Sequence, residues 1–173
     1  MAHIKGTGPE IWNQTGKNVD VFLAAAGSGG TISGCSQYLK SMNPDIKVYL
    51  VDPVGSGFFN YVKTHSIVSE ENHHGLHTRF LNCERSGWTV AEGIGGKRMT
   101  KNFEKAQIDG AIYVSDQEMI EMLYYLQEHE DLSVGPSAAL NVAAAVKLAE
   151  KIGEGHTIVT ILCDGGERYK SKL

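Results

Sequence analysis

The first fifty residues alternate between uninterrupted apolar runs and one segment with helical periodicity. Residues 19–26 and 47–51 are apolar runs of strand length, which is typical of strands buried on both faces. Between them apolar side chains recur at steps of three and four residues until Pro44, so an amphipathic helix is predicted there. The apolar stripe of this helix consists of Ile32, Cys35, Leu39 and Met42. The pattern predicts a strand, a helix and a second strand.

The last third of the chain repeats this alternation. Residues 111–114 predict a strand, and Ser115 and Glu118 have the spacing of a capping box, which marks the start of a helix. An alanine-rich helix is predicted over residues 137–152, followed by a strand over residues 156–163. Because strands and helices alternate, the sequence predicts an α/β fold with an open, mostly parallel sheet covered by helices.

Residues 53–88 lack this regularity. Gly, Asn, Ser and His are mixed there with short apolar pieces, so we predict a long excursion over the sheet that contains one short helix. Excursions of this length usually cover a site. With 173 residues the chain can bury a core of its own, and a single domain over residues 1–173 is expected.

The composition is that of a globular protein, with 42% apolar and 21% charged residues. The 16 Lys and Arg face 20 Asp and Glu, and this mild acidic excess disfavours binding to nucleic acid. No apolar run approaches the roughly 18 residues of a membrane span, so no membrane partner is expected. The first residues lack the apolar core of a signal peptide and the cysteines are scattered, which indicates a cytoplasmic protein.

A glycine-rich loop joins the first predicted strand to the first helix. It consists of Gly27, Ser28, Gly29, Gly30 and Thr31. At the start of a helix the backbone amides are free and the helix dipole is positive, so an anion can bind there. Glycines let the anion come close to the backbone because they have no side chain. No lysine follows the glycines, so ATP or GTP is not expected. A single phosphate monoester is the favoured ligand. Two alternatives stay open: a dinucleotide whose ribose binds Asp52, and a turn that binds no ligand. Against the dinucleotide, Ile32 occupies the third glycine position of its sequence pattern.

Three further glycine clusters lie later in the chain. Ser137 comes after Gly135 at the start of the alanine-rich helix, where its hydroxyl either caps the helix or faces a ligand. Gly93 and Gly95 flank Ile94 in the second cluster. The third cluster, residues 164–169, follows the last predicted strand. Because ligands of parallel sheets bind at the carboxyl ends of strands, the first loop and the last cluster are expected to open on the same crevice.

Three histidines, His73, His74 and His77, lie close together in the irregular middle segment. No cysteine or carboxylate pair stands beside them at the spacing of metal ligands, although Glu70 and Glu71 are near. A solvated loop is therefore favoured, and no metal is expected.

Cysteine and tryptophan positions add little chemistry. Cys35 falls on the apolar stripe of the first helix, and Cys163 ends a predicted strand without a basic neighbour that would activate its thiol. Trp12 and Trp88 are expected to pack in the core rather than to stack on a ligand.

In order along the chain, these motifs resemble the cysteine synthase and cystathionine β-synthase family of pyridoxal-phosphate enzymes, which share the fold of the tryptophan synthase β-subunit. Gly-Ser-Gly-Gly-Thr at residues 27–31 resembles the Gly-Thr-Gly-Gly-Thr phosphate loop of the family. The other matching segments are residues 7–12, 52–53, 92–95, 114–116, 135–137 and 166–169. The resemblance covers nearly the whole chain, and residues 158–166 are most similar to a branch found in fungi and some other eukaryotes.

The resemblance implies a site for pyridoxal 5'-phosphate. By position, its phosphate ligands are the backbone of Gly27, Ser28, Gly29 and Gly30 and the hydroxyl of Thr31. Ser137 corresponds to the partner of the pyridine nitrogen, and Gly93, Ile94 and Gly95 to the substrate-side lining. The implied reaction is β-replacement, in which sulfide and O-acetylserine give cysteine.

The resemblance also implies that part of the active site is absent. In the family, the Schiff-base lysine and the Ser/Thr-Gly-Asn loop that binds the substrate carboxylate precede the segment matched by residues 7–12. No lysine here stands in a matching setting, so we expect no catalytic residue and no activity from this chain alone. The alternatives are a non-catalytic subunit or fragment that pairs with a complete homologue or an amino-terminal fragment, and an NAD-type nucleotide-binding domain. The expected partners are a small amino-acid substrate, and either a homo-oligomer or the missing amino-terminal half.

Overall fold

The computed structural model describes residues 2–73 and 76–169. Its strands are β1 (Val21–Ala25), β2 (Lys47–Asp52), β3 (Ile67–His73), β4 (Leu76–Leu81), β5 (Gly110–Tyr113) and β6 (Ile158–Val159). Its helices are α1 (Ala2–Lys5), α2 (Thr7–Gln14), α3 (Gly30–Met42), α4 (Phe58–Thr64), α5 (Asp116–His129) and α6 (Pro136–Ile152). Two short 3-10 helices, Phe103–Lys105 and Gly166–Tyr169, complete the elements of the described segments.

A four-stranded parallel sheet lies at the centre, with the strand order β5-β2-β1-β6. In the β1–β2 pair, Val21 lies beside Lys47 and Ala25 lies beside Val51. The carboxyl ends of the strands therefore meet at one edge of the sheet. The α/β class and the parallel sheet predicted from the sequence are confirmed.

Alternate residues of β1 point to opposite faces of the sheet, and helices cover both faces. Phe22 packs in a core with residues of α2 and α3, which include Trp12 and Leu39. Leu23 packs in a second core with residues of α5 and α6. The alanines of α6 are small enough to bring that helix close to the sheet, and this places its first turn at the carboxyl edge of the strands.

The capping box predicted for α5 is present. The Ser115 amide donates to Glu118 Oε2 at 2.8 Å, and the Glu118 amide donates to Ser115 Oγ at 3.3 Å. Lys147 on α6 donates to Glu118 Oε1 at 2.7 Å, so the start of α5 is also tied to α6.

The middle segment differs in part from the prediction. It contains one short helix, α4, as expected, but β3 and β4 form an antiparallel hairpin that the sequence analysis did not predict. The strands of this hairpin are largely polar, so they lack the apolar runs on which the other predictions relied. Trp88 was expected to pack in the core, and this was wrong, because its side chain is 97% exposed. Trp12 is buried as expected.

The last strand is shorter than predicted. Residues 156–163 were expected to form it, but ladder pairing to β1 covers only Ile158 and Val159. Beyond them side chains replace the ladder, because Thr160 Oγ1 donates to Leu23 O at 2.9 Å and Asn141 Nδ2 donates to Ile161 O at 2.9 Å. Within residues 2–73 and 76–169, no helix has the length and apolar character needed to cross a membrane.

Candidate functional site

The glycine-rich loop after β1 requires glycine at two positions. Gly29 precedes the first residue of α3 with a φ of +79°, a conformation that L side chains rarely adopt. A β-carbon on Gly29 would also lie 2.7 Å from the backbone of Phe103. A β-carbon on Gly27 would overlap the carbonyl oxygen of Gly93. The loop can therefore pack against two other backbone segments only because these side chains are missing.

Backbone amides of this loop are available to an anion. The Gly30 amide donates weakly to Ser28 Oγ at 3.4 Å, whereas the other amides of residues 27–32 donate to no acceptor in the described part of the chain. They lie at the start of the 13-residue helix α3, where the helix dipole is positive. A β-carbon on Gly30 would make only ordinary contacts, at 3.6 Å from Ser28 Oγ and 3.8 Å from His3 Cδ2, so the loop is not tightly packed at this point.

Neighbouring backbone holds the loop in place. The Gly95 amide donates to Ala26 O at 2.8 Å, and Thr100 Oγ1 donates to Ser28 O at 2.7 Å. Gly93 and Gly95 both have positive φ, near +76° and +75°, which turns this second loop toward the first. Thr100 and Phe103 were not predicted as part of the site, and no local sequence signal connects them with a loop 70 residues earlier.

Ser137 lies in the first turn of α6. The residue that caps this helix is Gly135, and Ser137 makes no capping hydrogen bond, so the capping interpretation of Ser137 was wrong. Its side chain is only 5% exposed, and its hydroxyl bonds to no other group of the described residues. The hydroxyl is thus free to bind a ligand.

A cavity of about 330 Å³ brings these segments together at the carboxyl edge of the sheet. Its lining includes Gly27, Ser28, Gly29, Gly30, Thr31, Gly93, Ile94 and Ser137. Of the predicted site residues only Gly95 is not part of the lining, since it supports the loop through its bond to Ala26. The cavity therefore joins the amide-rich loop and the free hydroxyl in one space.

Charged residues that were not predicted individually also line this cavity: Glu92, Asp164 and Arg168. Asp164 Oδ2 accepts a hydrogen bond from the Tyr169 hydroxyl at 2.9 Å and lies 3.7 Å from Arg168 Nη1. Burial, followed by the bond to Asp164, raises the pKa of Tyr169. Cys163, which was predicted to end the last strand, also lines this cavity.

Asp52 does not contribute to this cavity. Its side chain is fully buried, and its Oδ2 accepts a hydrogen bond from the Phe59 amide at 2.8 Å, at the start of α4. Burial raises the pKa of Asp52 to about 7. This effect outweighs the hydrogen bond from the Phe59 amide, which lowers the pKa. The carboxylate proposed for a nucleotide ribose thus faces protein, and the dinucleotide interpretation loses its acidic partner.

No group of three metal-ligating side chains occurs among the residues that the structure describes. His77 Nε2 lies 3.3 Å from Glu70 Oε2 in the β3–β4 hairpin, far along the chain from the cavity loops. His74 and the side chain of His73 lie outside the described residues.

An α/β domain whose strand-to-helix loop has unbonded amides, with the hydroxyl of Ser137 in the lining of the same cavity, carries the donor groups that a phosphate-bearing ligand needs. Residues 1–164 match the profile of the pyridoxal-phosphate dependent enzyme family, and the chain belongs to this family. The predicted family is confirmed, and so is pyridoxal phosphate as the cofactor on which the family depends.

Curated relatives and solved structures support this assignment. The chain is 46% identical over 173 residues to a cysteine synthase of Dictyostelium discoideum, covering 99% of this chain and 44% of that protein. It is 46% identical over 182 residues to cysteine synthase 2 of Schizosaccharomyces pombe, with coverage of 100% and 43%. The O-acetylserine dependent cystathionine beta-synthase of Helicobacter pylori has a TM-score of 0.80 at 33% identity, covering 99% of this chain and 48% of that structure. The chain therefore spans less than half the length of these relatives.

The residues present fit this cofactor. A phosphate monoester needs several hydrogen-bond donors, and the amides beside Gly30 supply them where no β-carbon fills the space. A pyridine nitrogen needs one donor, and the buried hydroxyl of Ser137 is free to be that donor. No lysine of the described residues lines the cavity, while Lys170 and Lys172 lie outside them.

Proposed function

We propose that this chain is the cofactor-binding part of a cysteine synthase, which forms cysteine from O-acetylserine and sulfide. One observation carries the proposal: the cavity at the carboxyl edge of the sheet is lined by both the loop of residues 27–31 and Ser137. The names of the most similar relatives, cysteine synthases at 46% identity, support the choice of reaction.

The glycine-rich loop binds the phosphate. The amides of Ser28, Gly29 and Thr31 lie at the start of α3 without an acceptor among the described residues, and the dipole of this helix stabilises a negative charge there. Thr31 Oγ1 lies 3.5 Å from His3 Nε2, at the outer limit of a hydrogen bond, so the hydroxyl can turn to the phosphate. Backbone amides alone suit one phosphate group, and no lysine is needed to neutralise a polyphosphate.

Ser137 donates a hydrogen bond to the pyridine nitrogen. When bound, the cofactor supplies electron withdrawal from the substrate carbon that loses its proton. A neutral hydroxyl at the positive end of α6 does not favour a protonated ring, so Ser137 holds that withdrawal at a moderate level. Moderate withdrawal suits elimination and replacement at the β-carbon, which need a good leaving group such as acetate.

The loop of Gly93, Ile94 and Gly95 bounds part of the substrate side. Gly93 and Ile94 line the cavity, and a β-carbon on Gly93 would meet no atom within 4 Å. The bond from the Gly95 amide to Ala26 O keeps this loop next to the phosphate loop. Because Gly93 has no side chain, this part of the cavity has room for the amino acid and for sulfide.

The amine that binds the cofactor covalently comes, in this proposal, from outside the described residues. The relatives are more than twice as long as this chain, which covers 44% and 43% of the two cysteine synthases. An additional segment would also supply the group that binds the substrate carboxylate. We therefore expect this chain alone to bind the cofactor without forming a covalent bond to it.

Ligand titration tests the cofactor role. We expect saturable quenching of protein fluorescence by pyridoxal 5'-phosphate, competed by inorganic phosphate, with much weaker binding of pyridoxal, which lacks the phosphate. Equal affinity for pyridoxal and for its phosphate, or no binding of either, would contradict the role of the loop.

A complementation assay tests the reaction. The chain is mixed with the separately produced amino-terminal part of the Dictyostelium discoideum cysteine synthase, and cysteine formation from O-acetylserine and sulfide is measured. Activity is expected only in the mixture. Turnover by the chain alone would show that the assignment of the amine to another segment is wrong.

A second candidate, a non-catalytic subunit that associates with a homologue, is favoured by exposed apolar side chains. Trp88 is 97% exposed, and Val90 and Leu162 are about half exposed. Association would shift the fluorescence of Trp88 to shorter wavelength. Sedimentation of a monomer at all concentrations, both alone and with a full-length homologue, would count against this candidate.

A further inference from the structure

Asn141 connects three segments at the cavity. It lies on α6 one turn after Ser137, on the same face of the helix, and its side chain is fully buried. Its Oδ1 accepts a hydrogen bond from the Ala25 amide at 2.8 Å, and its Nδ2 donates to Ile161 O at 2.9 Å. A longer contact of 3.8 Å joins Nδ2 to Cys163 Sγ. One amide side chain thus bonds both to the last residue of β1 and to the segment that follows β6.

The positions of these partners give Asn141 its importance. Ala25 is the last residue of β1, directly before Ala26 and the glycine-rich loop. Ile161 lies beyond the end of the β6 ladder, which stops at Val159. Because the strand ladder no longer joins β1 to the segment after β6, side chains must connect the two segments, and Asn141 bonds to both. Its bonds therefore determine where the loop of residues 27–31 lies relative to the first turn of α6.

Only an amide can make both contacts. Leucine would leave the partly buried Ala25 amide and Ile161 carbonyl without these partners. Aspartate could accept from Ala25, but it would direct a second acceptor at the Ile161 carbonyl. A side chain with one donor and one acceptor, of this length, is required.

We propose that Asn141 is a positioning residue that sets the distance between the phosphate-binding amides and the Ser137 hydroxyl. The inference rests on the proposed function, since the two groups must contact opposite ends of one rigid cofactor. Asn141 itself does not line the cavity and touches no reacting atom. Misplacing either group would weaken the contact with one end of the ligand while sparing the other.

The test compares Asn141→Leu with Asn60→Leu. Asn60 is a matched control, because it is also a buried amide on a helix, donating to Asn82 O at 3.2 Å, but it lies away from the cavity. Affinities for pyridoxal 5'-phosphate and for inorganic phosphate are measured at a temperature where all variants are folded. We expect Asn141→Leu to weaken binding of the cofactor at least tenfold and that of inorganic phosphate less than threefold, with no change in Asn60→Leu. Asn141→Gln should restore part of the cofactor affinity, and Asn141→Asp should not.

The outcome separates this inference from the proposed function. If the parent chain does not bind pyridoxal 5'-phosphate, the proposed function fails, and hydrogen exchange of the Gly95 amide, which donates to Ala26 O at the start of the glycine-rich loop, then decides the positioning role. Faster exchange there in Asn141→Leu, but not in Asn60→Leu, supports it. Equal effects of the two variants on cofactor affinity and on exchange would overturn it, because Asn141 would then act only on stability.

Discussion

Gly27 and Gly93 pack backbone to backbone, so closely that a β-carbon on Gly27 would overlap the Gly93 carbonyl oxygen. The two residues belong to loops that are 66 positions apart and that line the same cavity. Both loops consist of backbone at this point, and they can approach this closely only because Gly27 has no side chain. Substitutions of glycines in the cavity lining therefore distinguish an effect on packing from an effect on ligand binding.

Gly27→Ala and Gly30→Ala are expected to differ in stability but not in ligand binding. Gly27→Ala forces the loops apart, and we expect it to lower the free energy of unfolding by about 2–4 kcal/mol. Gly30→Ala meets no atom closer than 3.6 Å and replaces glycine in a helix, so its stability should rise by up to about 1 kcal/mol. Because both glycines line the cavity, both variants should bind pyridoxal 5'-phosphate at least tenfold more weakly. Denaturant unfolding and fluorescence titration measure the two effects, and full affinity in Gly30→Ala would show that the phosphate lies elsewhere.

Ser137→Ala is expected to weaken cofactor binding without loss of stability. The hydroxyl bonds to no other described residue, so its removal should change the free energy of unfolding by less than about 0.5 kcal/mol. The contact with the pyridine nitrogen is lost, whereas inorganic phosphate does not use it. Titrations with both ligands should show a loss of affinity for pyridoxal 5'-phosphate only. A drop in stability of more than about 1 kcal/mol would instead identify Ser137 as a structural residue.

Asp52 is expected to make stability depend on pH. Burial raises its pKa in the folded protein to about 7, from an ordinary value of 3.8. The folded state therefore favours the protonated carboxyl, and its ionisation costs stability progressively as the pH rises from about 4 to about 7. At pH 8, Asp52→Asn should exceed the parent in free energy of unfolding by on the order of 4 kcal/mol at most.

Urea unfolding at pH 4, 6 and 8 measures this difference. Asp45→Asn, which removes an exposed carboxylate, controls for the change in net charge. The gap between Asp52→Asn and the parent should widen with pH over this range. A gap that is constant, or that narrows, would contradict an unfavourable ionisation of Asp52 in the folded state.

Ser115→Ala is expected to reduce stability without affecting the cavity. The substitution removes the oxygen that accepts from the Glu118 amide at 3.3 Å, and loss of such a cap costs about 1 kcal/mol. Ser41→Ala, at an exposed helix position, is the matched control and should change stability by less than about 0.5 kcal/mol. Thermal and urea unfolding measure both variants, and the affinity for pyridoxal 5'-phosphate should equal that of the parent. A weaker affinity in Ser115→Ala would show that the start of α5 is coupled to the cavity.

Elements with a strong local signal were predicted well. The apolar runs that became β1 and β2, the stripe of α3 and the capping box of α5 each depend on neighbours within a few positions. The polar β3–β4 hairpin has no such signal, because its strands pair with each other outside the main sheet. The predicted strand over residues 156–163 failed for a related reason: its apolar residues continue, but its ladder partner ends and side chains from α6 and Thr160 take over.

The amino-acid sequence by itself determined the α/β class, the two helix starts that carry Gly29 and Ser137, and the family, because these follow from local periodicity and from motifs in a fixed order. Only the tertiary structure decided that Ser137 is free rather than a cap, that Asp52 faces protein, and that Asn141 joins β1 to the segment after β6. Such contacts join residues that are distant along the chain and depend on the packing of whole helices against the sheet. Hydrophobic patterning shows which residues are buried, but it does not show which buried polar groups meet.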